Sequence, residues 1–259
     1  MMKKLFKWDL IHYVGQLKWI YLATLFLTIL SVIFESFSTE NLIFGMFYQT
    51  TYIVSIVGVL GCLLYTFFSI FQRYYQTILK DEAYFTHTLP ITKGRILLSK
   101  VLSGFTVFIL SLFIGVGLLH WLSVIDLNEF LEFRNLDPNI FNMMLISIVS
   151  MVIMFLVFIV VIYAALLFGF SYNKREWLYV FVYFVLYYIT TQVLSFVNFG
   201  INLIINPNLL NIEAEDPASV FQAIGGILII QLIIAVGLGI ANFYIARYLM
   251  TRKINLKNG

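Results

Sequence analysis

The side chains that most often perform catalysis or hold metal ions are few and scattered in this sequence. The three histidines, His12, His87 and His120, form no HExxH pair of the kind that binds zinc. The single cysteine, Cys62, excludes an intrachain disulfide and a cysteine metal cluster, and we interpret it as a small packing residue. No GxSxG elbow is present for a serine nucleophile. We therefore expect no metal site and no catalytic residue, and the chain is not expected to be an enzyme.

A loop that could bind nucleotide phosphates is also missing from the sequence. The motif GxxxxGK[ST] does not occur, and the nearest cluster, TKGR at residues 92–95, lacks its glycine spacing. We therefore expect this chain to bind no cofactor. The modest net charge of +3 and the lack of a compact basic and aromatic patch also give no indication of nucleic-acid binding.

Neutral polar side chains recur within one apolar segment near residue 190. Four of them share one helical face at spacings i, i+4, i+7 and i+11, and three tyrosines form a second stripe: Thr191, Ser195, Asn198, Asn202, and Tyr179, Tyr183, Tyr187. Two interpretations are open. The residues form hydrogen bonds between membrane helices, or they line a substrate path or its outer gate.

The composition predicts that these residues lie in a membrane protein. Hydrophobic residues make up 61% of the chain and charged residues 11%, whereas soluble domains contain about 25% charged residues. Six segments are long and apolar enough to cross a bilayer, at residues 19–37, 42–71, 101–122, 141–170, 177–205 and 220–250. Their interiors contain no ionisable side chain, so a proton relay or ion-coupled carrier is not expected. The predicted fold class is all-α, as a single polytopic transmembrane domain over residues 1–259.

The distribution of charge predicts the orientation of the six segments. Basic residues stay on the cytoplasmic side during insertion, and Arg134 is the only one placed by six spans on the other side. Both termini are therefore predicted to be cytoplasmic. The connections at residues 123–140 and 206–219 are then extracellular, and the first is acidic while the second contains Pro207 and Pro217.

Residues 1–18 combine apolar residues at helical spacing with lysines elsewhere on the helical wheel. The apolar positions are Phe6, Leu10, Tyr13, Val14 and Leu17. This pattern favours a helix that lies in the cytoplasmic interface of the membrane. The alternative is a basic flank that only orients the first span.

The cytoplasmic connection at residues 72–100 is longer than topology requires. Pro90 ends any helix at or before Leu89, and Thr92 is placed to cap a new helix that runs into the third span. A short helix, a break and a second helix would form a rigid projection from the membrane surface. The alternative is a solvated charged loop.

Together these features resemble the permease subunit of the type-2 family of ATP-binding-cassette (ABC) exporters. The resemblance covers nearly the whole chain in topology. In sequence it is strongest at an acidic pair, a leucine-proline step and a lysine that opens the third span: Asp81, Glu82, Ala83, Tyr84, Thr88, Leu89, Pro90, Ile91, Ile96 and Lys100.

The resemblance implies that the short helix of the loop is a coupling helix that seats in a groove of a separate ATPase. The implied contact residues are Asp81, Glu82, Tyr84, Phe85, Thr86, Leu89 and Pro90, with the acidic pair meeting basic groups of the ATPase or of the N-terminal helix. It also implies a re-entrant hairpin, which residues 197–205 and 218–226 could form.

The implied assembly contains two copies of this chain, or this chain and a related one, in the plasma membrane of a bacterium, with lipid around them. Two ABC ATPase subunits would bind ATP and Mg beneath them. The expected cargo is an amphipathic or lipid-like molecule such as an antimicrobial peptide. Two other function classes remain open: a membrane-embedded enzyme, and a scaffold or immunity protein that transports nothing.

Overall fold

The computed structural model describes residues 2–38, 42–80, 82–126, 138–172, 174–205 and 217–252, without the side chains of 138–140 and 217–224. Within these ranges every regular element is a helix: α1 (Met2–Ser38), α2 (Leu42–Leu79), α3 (Ala83–Thr88), α4 (Lys93–Trp121), α5 (Pro138–Gly169), α6 (Glu176–Ile205) and α7 (Pro217–Arg252). All except α3 are long and apolar enough to cross a membrane. The predicted all-α architecture with six candidate spans is confirmed for the described residues.

The N-terminal residues are helical, but they do not form a helix of their own. Residues 2–18 continue without interruption into the first predicted span, because no proline lies in α1 and an isolated Gly15 does not end a helix. Tyr13 and Leu17 are buried, whereas Val14 is exposed, so the five predicted apolar positions do not face one environment. A location in the membrane interface stays a prediction.

The predicted re-entrant hairpin does not appear as separate helices. Residues 197–205 are the end of α6 and residues 218–226 belong to the start of α7, and both helices run without a break. The sequence explains this continuity, because Pro207 lies beyond α6 and Pro217 occupies the first position of α7, where a missing amide costs nothing. Of the two predicted extracellular connections, residues 127–137 and 206–216 lie outside the described residues.

The helices form two compact units. In the first unit, small hydroxyl side chains join α1, α2 and α4. Thr24 Oγ1 lies 3.0 Å from Cys62 Sγ, and the Thr66 hydroxyl lies 3.0 Å from the Tyr21 hydroxyl and 3.2 Å from that of Ser111. Such residues let apolar helices approach closely while their hydroxyl groups remain hydrogen-bonded. The interpretation of Cys62 as a packing residue agrees with its burial.

In the second unit α7 packs along α5, and α6 contacts both. Close approach depends on glycine: a Cβ atom at Gly239 would lie 2.9 Å from Val157 Cγ2 on α5. The turn between α5 and α6 is tighter still. A Cβ atom at Gly169 would collide with Val180 Cγ2 and lie 2.7 Å from the carbonyl oxygen of Glu176. Only glycine therefore fits at the end of α5.

Candidate functional site

The connection between α2 and α4 has the predicted pattern of helix, break and helix. α2 continues to Leu79, α3 is a short helix, and α4 begins at Lys93 after the break around Pro90. Thr92 occupies the predicted N-cap position with an extended backbone, but its side chain makes no capping hydrogen bond. Its carbonyl instead accepts the amide of Arg95 at 2.9 Å. The predicted position of the cap is therefore right, and the predicted hydroxyl bond is wrong.

α3 has a buried face and an aromatic exposed face. Ala83 and Thr86 are buried, and the Thr86 hydroxyl donates to the carbonyl of Glu82 at 3.1 Å. Tyr84 and Phe85 are 68% and 72% exposed. Thr86, a predicted partner contact, therefore faces into the chain.

The remaining predicted coupling residues surround this aromatic pair in sequence. Glu82 and Pro90 are exposed and Leu89 is partly exposed, while Asp81 lies outside the described residues. The rings of Tyr84 and Phe85 meet edge to face, with centroids 6.1 Å apart and planes at 80°. Exposed paired aromatic side chains are typical of protein contact sites, because they bury a large apolar area at low cost in conformational entropy. This pair is the strongest candidate contact surface on the polar connection.

A buried ionic cluster joins the three long helices of the first unit near this connection in sequence. Lys100 on α4 donates from Nζ to Asp9 Oδ1 on α1 at 2.7 Å, and Arg73 Nε on α2 donates to the same oxygen at 3.4 Å. Asp9 is 2% exposed and Lys100 is 3% exposed. Arg73 lies near the end of α2 and Lys100 near the start of α4, on either side in sequence of residues 80–92, which join these two helices. We call these three residues the Asp9 cluster.

Sequence reasoning did not find the Asp9 cluster. The charge pattern assigns Lys100 and Arg73 to the cytoplasmic side, and the resemblance uses Lys100 as the lysine that opens the third span, but neither gives these residues an acidic partner within the chain. A usable signal was present in the chain. Asp9 is the only acidic residue of the sequence before Glu35, and Lys100 directly follows the segment ILLS at residues 96–99, in which Ile96 and Leu97 are buried. An ionisable side chain on such a face requires a partner of opposite charge.

The polar face of α6 makes hydrogen bonds to α7. Asn198 donates from Nδ2 to the side-chain oxygen of Gln231 at 3.1 Å and to the carbonyl of Ile227 at 3.2 Å. Asn202 in turn donates to Asn198 Oδ1 at 2.8 Å. Both asparagines are buried, and a Cβ atom at Gly226 would lie 3.1 Å from Asn202 Oδ1. These hydrogen bonds agree with the interpretation that the polar residues of this segment join neighbouring helices.

The tyrosine stripe of α6 also finds partners within the second unit. The Tyr183 hydroxyl donates to Asn242 Oδ1 on α7. Tyr179 stacks on Tyr172 of the preceding turn, with ring centroids 4.2 Å apart. Tyr187, Thr191 and Ser195 remain partly exposed, and Thr191 bonds only to the carbonyl of Tyr188 on its own helix. A role of all seven residues of the two stripes in a substrate path or gate stays a prediction.

Comparison with known proteins adds no further constraint on the function. No family model matches the chain, and no curated protein or solved structure matches it. The features of this chain that bear on function are the six candidate spans, the aromatic face of α3, the Asp9 cluster and the contacts between α6 and α7.

Proposed function

We propose that this protein is the transmembrane subunit of an ATP-driven exporter and that α3 is its coupling helix. The observation that carries this proposal is the exposed pair of Tyr84 and Phe85 on a short helix between two long ones. A soluble ATPase can move a membrane helix only if it binds a structured element that is connected to that helix. α3 is a structured element of this kind with an apolar contact surface.

The flanking helices support this mechanism because they extend beyond the predicted apolar segments. The second apolar segment ends at residue 71 but α2 ends at Leu79, and the third begins at residue 101 but α4 begins at Lys93. At 1.5 Å per residue, each extension adds about 12 Å of helix. Helical extensions of this length transmit a push to the membrane better than a flexible loop.

In the proposed complex the basic helix ends are cytoplasmic, and two ATPase subunits bind ATP and Mg beneath two permease chains. Closure of the ATPase pair moves α3 and changes the arrangement of the spans. The cargo class is an amphipathic peptide or a lipid-like molecule, since the predicted span interiors carry no ionisable group that would suit an ion. The proposed location is the plasma membrane of a bacterium.

Co-purification with an ATPase tests this proposal directly. The full chain is co-expressed with an ATPase encoded beside its gene, and the complex is purified in detergent and assayed for ATP hydrolysis. We expect a complex with the parent chain and none with Tyr84→Asp and Phe85→Asp combined. The matched control, Tyr84→Phe with Phe85→Tyr, keeps both rings and is expected to retain the complex.

Two results would contradict the proposed function. One is that the chain purifies without an ATPase under these conditions. The other is that the Tyr84→Asp and Phe85→Asp variant keeps the complex and its ATP hydrolysis. The variant must also elute as the parent does in size-exclusion chromatography, which shows that the loss concerns contact and not folding.

A further inference from the structure

We propose that Asp9 is a positioning residue, which clamps the N-terminal part of α1 to the ends of α2 and α4 that flank the coupling connection. This inference rests on the proposed function for its consequence in transport, but the clamp itself is a property of the chain alone. Its role is to keep the end of α2 and the start of α4 at a fixed distance from each other. A movement of α3 is then transmitted to the spans and does not only change the distance between these two helix ends.

The geometry of the Asp9 cluster carries the inference. A single carboxylate oxygen accepts from Lys100 at 2.7 Å and from Arg73 at 3.4 Å, and these donors come from two different helices. Neither Arg73 nor Lys100 is adjacent in sequence to Asp9, so the carboxylate joins three separate elements. Removal of this one group would take away the carboxylate to which both Lys100 and Arg73 donate.

The ionic character of the Asp9 cluster points to a role other than stability. Replacing a buried ion pair by well-packed apolar side chains is often neutral or stabilising. Stability alone therefore does not require charge at these positions. In the proposed clamp, the charged groups specify which helix ends meet and in which register.

The first experiment measures the clamp without an ATPase. The purified full chain, with Cys62→Ala, is labelled with nitroxides at Lys4→Cys and Arg95→Cys, two exposed positions on α1 and α4, and reconstituted in lipid nanodiscs. Electron paramagnetic resonance gives the distribution of label distances. We expect a narrow distribution for the parent, a broader one for Asp9→Asn, and a narrow one again for Asp9→Glu, which keeps a carboxylate beside both donors. An unchanged distribution in Asp9→Asn would overturn the clamp, whatever the function of the chain.

The second experiment separates positioning from simple stabilisation. Three variants are compared with the parent for melting temperature and for the export-dependent phenotype of cells that express them with the ATPase: Asp9→Asn, the apolar pair Asp9→Leu with Lys100→Met, and Asp9→Glu. We expect the apolar pair to keep the melting temperature of the parent but not its phenotype, and Asp9→Glu to keep both. Full recovery of the phenotype by the apolar pair would show that the cluster is only structural. If no ATPase binds the parent chain, the proposed function fails, while the distance measurement still decides the clamp.

Discussion

The ammonium group of Lys100 lies 2.7 Å from the carboxylate of Asp9, across a separation of 91 residues. This bond connects the first helix to the first turns of α4, and Arg73 adds α2 to the same oxygen. Lys100 therefore has a buried acidic partner, in addition to the cytoplasmic location that the charge pattern predicts for it. The pairing is a buried contact within the first unit.

Lys100→Met is expected to destabilise the chain by about 3–5 kcal/mol, because it leaves the buried carboxylate of Asp9 with Arg73 as its longer partner. Adding Asp9→Leu should recover most of this loss. Unfolding in detergent micelles measures both effects. Lys4→Met, at an exposed position of the same charge type, is the control and should change the unfolding free energy by less than about 0.5 kcal/mol. Equal effects of the two lysine substitutions would contradict the burial of the cluster.

Gly169→Ala is expected to lower the unfolding free energy by about 1–3 kcal/mol, because the new methyl group would overlap Val180 and crowd the carbonyl of Glu176. The matched substitution Gly237→Ala adds the same methyl group to a helix where no atom lies within 4 Å. It should be neutral or stabilising by up to about 1 kcal/mol. Thermal unfolding of the two variants in one detergent checks the difference, and a Gly169→Ala variant as stable as the parent would exclude the tight turn.

Asn198→Leu should weaken the association of α6 with α7 by about 1–2 kcal/mol, because it removes the bonds to Gln231 and to the carbonyl of Ile227. Thr191→Val provides the control, since the Thr191 hydroxyl bonds within its own helix. Chemical unfolding in mixed micelles measures both variants. The polar face is not an interhelical contact if Asn198→Leu and Thr191→Val have the same small effect.

Labelling of single cysteines tests the predicted orientation. In a Cys62→Ala background, Ser36→Cys at the end of α1 and Tyr84→Cys on α3 both provide exposed thiols, with one candidate span, α2, between them. A membrane-impermeant maleimide added to intact cells should label Ser36→Cys alone. After permeabilisation it should label both. If only Tyr84→Cys is labelled in intact cells, the predicted topology is reversed. If both variants are labelled in intact cells, α2 does not cross the membrane.

The sequence by itself determined the number and approximate limits of the candidate spans. This succeeds because a lipid environment imposes a simple length rule: every backbone polar group must be bonded within a continuous apolar helix of about 20 residues. The break at Pro90 was predictable for an equally local reason, since proline excludes the helical conformation of the residue before it. No comparably clear local rule specifies whether residues 2–38 or residues 176–205 form one helix or two, and both α1 and α6 are continuous.

Only the tertiary structure decided which side chains are partners. Asp9, Lys100 and Arg73 are far apart in sequence, and their meeting depends on the rotation of three helices about their axes, which local spacing does not specify. The same holds for Asn198, whose partner Gln231 lies on the next helix. The exposure of Tyr84 and the burial of Thr86 likewise depend on how α3 packs. Periodicity shows which residues share a face, but the direction of that face is set by the packing of the helices around it.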